Sequence, residues 1–294
     1  MKTNIRAVCL SFGLAGFFVP ALTLPTKAQA QNLFVDDSNS GNVYEITPQG
    51  WVSLFASGLS RPFGLAFDSV GNLYVANNGN QSITKITPAG VESTFASGLN
   101  INPVGLAFNG AGDLFVSGSG NIIEITPTGT QSIFASGLND PLGVAFDSAG
   151  NLFVANLLGN TITKITPDGT QSTFASVFYC SGLAFDSAGN LFVANSTQFI
   201  TEITPSGSKS YFATGLGSPW GLAFNNTGNL YVVIQAGPNI TEITPSGARS
   251  VFATGMSGPE LAFEPQLVPE PSTLVLLPVG FSAVLFCWHR RRNH

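Results

Sequence analysis

The chain has 294 residues, of which 9% are charged, and a formal net charge of −5. Between residues 31 and 268, five basic residues (Arg61, Lys85, Lys164, Lys209, Arg249) stand against 15 acidic ones, a net of about −10, which repels a phosphate backbone and excludes nucleic acid as a partner. Of three cysteines, Cys9 and Cys287 lie in apolar terminal segments, so Cys180 is left alone and an intramolecular disulfide framework is excluded.

Residues 1–30 read as a secretory signal peptide. Lys2 and Arg6 supply the positive start, Ala7 to Leu24 is apolar and broken by Pro20, and Ala28-Gln29-Ala30 is a small-residue cleavage site before Gln31. The competing assignment, an uncleaved N-terminal anchor, explains the apolar run but not Ala28 and Ala30. Cys9 is too early in the chain for lipoprotein acylation.

A repeat then occupies residues 31–265. The run (N/D)-L-(F/Y)-V starts at Asn32, Asn72, Asp113, Asn151, Asn190 and Asn229, at spacings of 40, 41, 38, 39 and 39 residues. Each unit carries four strand signals, which we letter a to d. In the clearest copy these are Gly64-Leu-Ala-Phe67, Asn72-Leu-Tyr-Val-Ala76, Ile83-Thr-Lys-Ile-Thr87 and Ser93-Thr-Phe-Ala-Ser97. All are short, β-branched or aromatic, and bounded by Gly, Pro, Asn or Asp. The a–b connector Asp68-Ser-Val-Gly-Asn72 and the c–d connector Thr-Pro-x-Gly are tight turns, with Pro presetting φ and Gly supplying positive φ. Four antiparallel strands per 40 residues make one propeller blade.

The ends of the repeat predict how the ring closes. The first unit lacks strand a, and the last stops after the strand-a triplet Leu261-Ala-Phe263. Joined, they complete one blade. The prediction is an all-β, six-bladed propeller whose last strand pairs with its first, leaving no open sheet edge. Sixteen of the 24 Phe recur at fixed repeat positions, which marks them as core.

The motif P-x-G-L-A-F-D-x-x-G-N-L-Y-V-A-N resembles the NHL repeat and the related senescence-marker/gluconolactonase-like six-bladed propellers, and the resemblance covers residues 32–264. Propellers host many functions, so the resemblance implies the fold more than the chemistry. Its gluconolactonase-like members imply a divalent metal in the central channel, held by Glu and Asp/Asn. Related lyases imply a catalytic histidine, but the only histidines here are His289 and His294, beyond the repeats.

In a propeller the a–b and c–d turns share one face, and here they scarcely change between units. The b–c and d–a connectors share the other face and differ, so binding is expected there. The residues entering strand a are expected to ring the channel mouth: Phe63, Val104, Leu142, Ser181 and Trp220, with Glu260 in the last unit, which is one residue short. They are candidates for a small ligand or peptide; the alternative is that they plug the centre. Asp36, Asp37 and Glu260 are weak metal candidates, and no cofactor is expected. Asn77, Asn156 and Asn195 read as hairpin caps. Cys180, with no His or Lys nearby in sequence, reads as a core residue.

Residues 266–294 carry Val268-Pro269-Glu270-Pro271, an apolar stretch to Trp288, and then Arg290-Arg291-Arg292. This order resembles the PEP-CTERM sorting signal of bacterial envelope proteins, which implies a transmembrane helix and an exosortase-type membrane protease as partner. A simple C-terminal anchor explains the span and the arginines but not Val-Pro-Glu-Pro. Together the features predict a protein exported by the secretion machinery to the cell envelope or surface, held at least transiently in the inner membrane. Its expected role is non-enzymatic: a binding or scaffold propeller for an extracellular polysaccharide, a surface protein or a small molecule. The rival is a metal-dependent gluconolactonase-like hydrolase centred on Glu260, and a third option is a spacer without a ligand.

Overall fold

The computed structural model describes residues 30–256 and 258–266. The expected signal peptide and the sorting segment with its apolar helix lie outside the described residues, apart from Ala30 and Gln266, both exposed. Among the described residues every regular element is a strand.

Six four-stranded antiparallel sheets form the ring. The first blade takes β1 (Leu33–Asp37), β2 (Asn42–Ile46) and β3 (Val52–Ala56). The second holds β4 (Pro62–Phe67), β5 (Leu73–Asn77), β6 (Ser82–Ile86) and β7 (Glu92–Ala96). The third holds β8 (Leu106–Phe108), β9 (Leu114–Gly118), β10 (Asn121–Ile125) and β11 (Gln131–Ser136). The fourth holds β12 (Pro141–Phe146), β13 (Leu152–Asn156), β14 (Thr161–Ile165) and β15 (Gln171–Ser176). The fifth holds β16 (Cys180–Phe185), β17 (Leu191–Asn195), β18 (Phe199–Ile203) and β19 (Lys209–Ala213). The sixth holds β20 (Pro219–Phe224), β21 (Leu230–Ile234), β22 (Asn239–Ile243) and β23 (Arg249–Thr254). Finally β24 (Leu261–Phe263) returns to the first blade, beside β1. Its register is Leu33↔Phe263, Phe34↔Ala262 and Val35↔Leu261. The ring therefore closes as the repeat ends predict, with no strand a or b left unpaired.

The repeated aromatics make the joints between blades. In each, a strand-b ring packs edge-on against the strand-d Phe of its own blade and the strand-a Phe of the next. Phe34 meets Phe55 and Phe67 at 4.9 and 5.1 Å, and Tyr231 meets Phe252 and Phe263 at 4.9 Å, so the final joint matches the first. Such edge-to-face pairs add about 0.5–1.5 kcal/mol each beyond the area they bury. Strand-b residues such as Leu73, Val75 and Ala76 are fully buried, since both sheet faces are covered by neighbouring blades.

The turns follow their residues. Asp68 Oδ1 accepts the Val70 and Asn72 amides at 3.1 and 2.8 Å, and Asn72 Nδ2 donates to Asp68 Oδ2 at 2.7 Å. The b–c and d–a connectors meet on the other face: the Asn78 and Gly79 amides donate to the carbonyls of Arg61 and Ser60.

Candidate functional site

The channel is built by strand a. At Gly64 a Cβ would sit 1.8 Å from the Val104 carbonyl oxygen, because adjacent strands a press together there. The same approach, at 2.2 to 2.7 Å, recurs at Gly105, Gly143, Gly182 and Gly221. No side chain fits, so five blades carry glycine. The carbonyls in these contacts belong to Val104, Leu142, Ser181, Trp220 and Pro259, which puts Val104, Leu142, Ser181 and Trp220 in one column, and Phe63, the residue before Gly64, in the same register position. Leu142 and Ser181 are buried; Phe63, Val104 and Trp220 are half-buried.

Glu260 does not stand in that column. Leu261 pairs with Val35 as Leu65 pairs with Val75, so Glu260 occupies the glycine column and Pro259 the mouth column. Aligning the final unit on its Pro shifts the carboxylate by one residue; strand register corrects this. On β1 the neighbouring residue is Asp36, where the other blades carry Ala76, Ser117, Ala155, Ala194 and Val233. The layer that is glycine beside a small or aliphatic residue in five blades is thus Glu260 beside Asp36 in the blade that closes the ring.

This pair sits under strong electrostatic constraint. The Glu260 amide donates to Asp36 Oδ1 at 2.9 Å, while Asp36 Oδ2 is enclosed and accepts from no group among the described residues. Glu260 Oε1 lies 3.1 Å from the place a Cβ on Gly221 would take, against the sixth blade. Burial pushes the Glu260 carboxyl up to about 8. Burial, and then the neighbouring Glu260 charge, hold Asp36 well above the ordinary carboxylate range, against the pull of the Glu260 amide. Glu260 therefore favours its protonated form at neutral pH, and Asp36 is shifted in the same direction.

The channel beside Glu260 is a cavity of about 110 Å³ lined by Leu65, Leu106, Val144, Leu183, Leu222 and Leu261. All six also belong to the core clusters between blades, so the channel is narrow because adjacent strands a approach closely and not because side chains plug it; the residues expected to plug it lie two positions earlier on strand a. A hard divalent cation wants about six to eight oxygens, and two carboxylates supply too few. Among the described residues no three His, Cys, Asp or Glu come together. The donors present do not fit such an ion.

The other predicted residues fall as follows. Asp37 does not join Asp36: its carboxylate accepts the Asn39 amide at 3.0 Å and the Ser40 hydroxyl at 2.8 Å, shaping the b–c loop. Asn77 Nδ2 donates to Ser82 Oγ and Thr84 Oγ1, and Asn156 Nδ2 to Thr161 and Thr163, as hairpin caps would. Asn195 differs, donating to the Phe178 carbonyl. Cys180 is fully buried, and burial raises its thiol to about 11, which removes it as a nucleophile. Residues 268–271 and 290–292, and Ala28, lie outside the described residues.

Repeat columns also reveal a second location absent from the sequence reading. Between the fourth and fifth blades a cleft of about 380 Å³ is lined by Ser176, Val177, Phe178, Asn195, Thr201, Lys209, Ser210 and Tyr211. Phe199 stacks on Tyr211 at 4.9 Å with 29° between planes.

No family model and no curated protein matches the chain. Solved structures do. A chain of a nidogen/laminin complex aligns with TM-score 0.72 and 17% identity, over 81% of this chain and 99% of that one. A gluconolactonase from Xanthomonas campestris aligns at 0.63 and 19%, over 68% and 78%. A catalytically inactive His-to-Ala variant of virginiamycin B lyase from Staphylococcus aureus, solved with quinupristin, aligns at 0.62 and 17%, over 82% and 94%. At such identities the likeness shows the fold alone: an all-β propeller with neighbours of the nidogen and gluconolactonase type.

Proposed function

We propose that this chain is an exported, envelope-directed propeller that binds a partner and does no chemistry. The observation that carries this reading is the narrow channel. Adjacent strands a press together and leave about 110 Å³, room for about three or four waters at roughly 30 Å³ each and none for a sugar lactone. Between residues 31 and 268 there is no histidine to act as acid or base, whereas the lyase relative is inactivated by loss of one.

Binding then falls to the b–c/d–a face, where loops differ from blade to blade over a constant scaffold. Export by residues 1–30, and sorting at Val268-Pro269-Glu270-Pro271 by an exosortase-type protease, would deliver that face to the envelope or surface matrix. The test has two parts. Mass spectrometry of the mature protein is expected to find Gln31 at the N-terminus; cytoplasmic protein retaining residues 1–30 would refute the export half. For the binding half, immobilised protein is expected to retain components of the surface matrix. Retention of none of them refutes it, and unchanged retention by the Phe63→Ala/Trp220→Ala variant removes the channel mouth as the place.

One observation favours the rival hydrolase: the enclosed, unpartnered Asp36 Oδ2 beside Glu260. A cation specific to that pair must raise the melting temperature, since it binds the folded state only. An increase with Ca²⁺ or Zn²⁺ that vanishes in Asp36→Ala would restore the hydrolase; no increase ends it.

A further inference from the structure

We propose that the cleft between the fourth and fifth blades binds a neutral saccharide, with Tyr211, backed by the stacked Phe199 ring, as its platform. The proposal rests on the binding-protein reading above and moves the site from the channel mouth to this cleft.

The repeat supplies its own control. The column holding Tyr211 is Leu54, Thr94, Ile133, Thr173 and Val251 in the other blades, and the column of Phe199 is Asn42, Ser82, Asn121, Thr161 and Asn239. Neither column has an aromatic elsewhere, so the propeller fold does not require these rings. Tyr211 is 68% exposed and Phe178, which also lines the cleft, 72%, while Phe199 is half-buried against the Tyr211 ring. The equivalent cleft between the second and third blades is smaller, about 280 Å³, and presents Ile123 and Ile133 instead.

A second observation is independent of the rings. In the second and fourth blades the strand-b Asn donates its amide to the strand-c Thr: Asn77 to Thr84 at 2.8 Å and Asn156 to Thr163 at 2.9 Å. In the fifth blade Asn195 turns to the Phe178 carbonyl. The Thr201 hydroxyl lines the cleft, is 6% exposed, and does not receive the strand-b amide that its counterparts Thr84 and Thr163 accept. Ser210 adds a second hydroxyl to the lining. Lys209 Nζ spends one donor on the Ser176 carbonyl at 2.9 Å and keeps two.

An aromatic face with a fringe of hydroxyl and amine donors matches a pyranose, which shows C–H groups on one face and hydroxyls around its edge. The cleft volume lies at the lower end of small-ligand sites. The net charge of about −10 between residues 31 and 268 argues for a neutral saccharide over a uronate-rich one, because the surrounding field repels anions.

The test is native affinity electrophoresis of the full chain through gels carrying neutral polysaccharides: a β-1,4-glucan, a β-1,3-glucan, a galactomannan and a dextran. The wild-type chain is expected to be retarded by at least one. Phe199→Asn/Tyr211→Thr, which installs residues other blades tolerate, is expected to weaken binding at least tenfold with an unchanged melting temperature. Thr201→Val should weaken it severalfold, and Trp220→Ala should not. Retardation that survives Phe199→Asn/Tyr211→Thr overturns this cleft and leaves the binding-protein reading standing. If the chain retains matrix proteins while no polysaccharide of the panel slows it, the saccharide assignment is overturned on its own. If it retains nothing at all, both readings fall.

Discussion

Replacing Glu260 and Asp36 together tests whether the closing blade carries buried, protonated carboxyls. In the unfolded chain Glu260 ionises near its ordinary 4.5, while in the fold it holds its proton to about 8. Below pH 4.5 both states are protonated and the group costs nothing. As pH rises through the window the unfolded chain releases the proton first, so unfolding is favoured and stability falls until about pH 8. At 1.36 kcal/mol per pH unit the fully buried limit is about 5 kcal/mol. Glu260 is half-buried and not fully enclosed, so solvent screening roughly halves this to about 2–3 kcal/mol. Asp36, raised in the same direction, adds to the slope. For a domain of this size the loss corresponds to roughly 5–10 °C in Tm. Thermal melts from pH 5 to pH 8.5 are therefore expected to show falling Tm in the wild-type chain and a markedly flatter profile in Asp36→Asn/Glu260→Gln. Parallel profiles for the two proteins, or a wild-type Tm that rises with pH, would refute the assignment of buried protonated carboxyls.

Three further outcomes are expected. Gly64→Ala must push its Cβ into the Val104 carbonyl and should destabilise by about 3 kcal/mol or prevent folding, whereas Gly110→Ala, with open space around it, should stay within about 0.5 kcal/mol by denaturant titration. Phe153→Ala removes the ring joining Phe174 and Phe185 between the fourth and fifth blades, and should cost about 3–5 kcal/mol by the same measurement. Cys180, buried and with its thiol raised to about 11, should resist iodoacetamide in the native chain at pH 8 and react once urea unfolds it; rapid native labelling would contradict its burial.

The parts legible in the sequence were those that every unit repeats. Leu-Ala-Phe, Asn-Leu-Phe-Val and Ile-Thr-Pro recur because each solves the same local problem in each blade, and the split between Asn32 and Phe263 announced the closing pair. What stayed hidden depends on single departures from the repeat, and a departure has meaning only once its column is right. Glu260 sits after a Pro, as Phe63 and Trp220 do, so matching Pro to Pro placed it at the mouth. Strand pairing to Val35 places it in the glycine column instead, where it meets Asp36 from the far end of the chain. That partnership joins residues 224 apart and carries no local signal.

The aromatic cleft was hidden for a different reason. Phe199 and Tyr211 are ordinary strand residues by propensity, and in a chain with 24 Phe one more ring draws no notice. Only the faces they share across the register Thr201↔Tyr211, and the turning of Asn195 away from Thr201, separate them from core rings. The two departures also differ in kind. Asp36 is enclosed, and Glu260 half-buried, at the seam that joins the two ends of the ring, where their ionisation acts on closure. Tyr211 is open, with Phe199 stacked on it, at the rim of a complete blade, where replacing them leaves the ring intact. A stability assay therefore reports on the first pair and a binding assay on the second, and a variant at one is expected to be silent in the assay of the other.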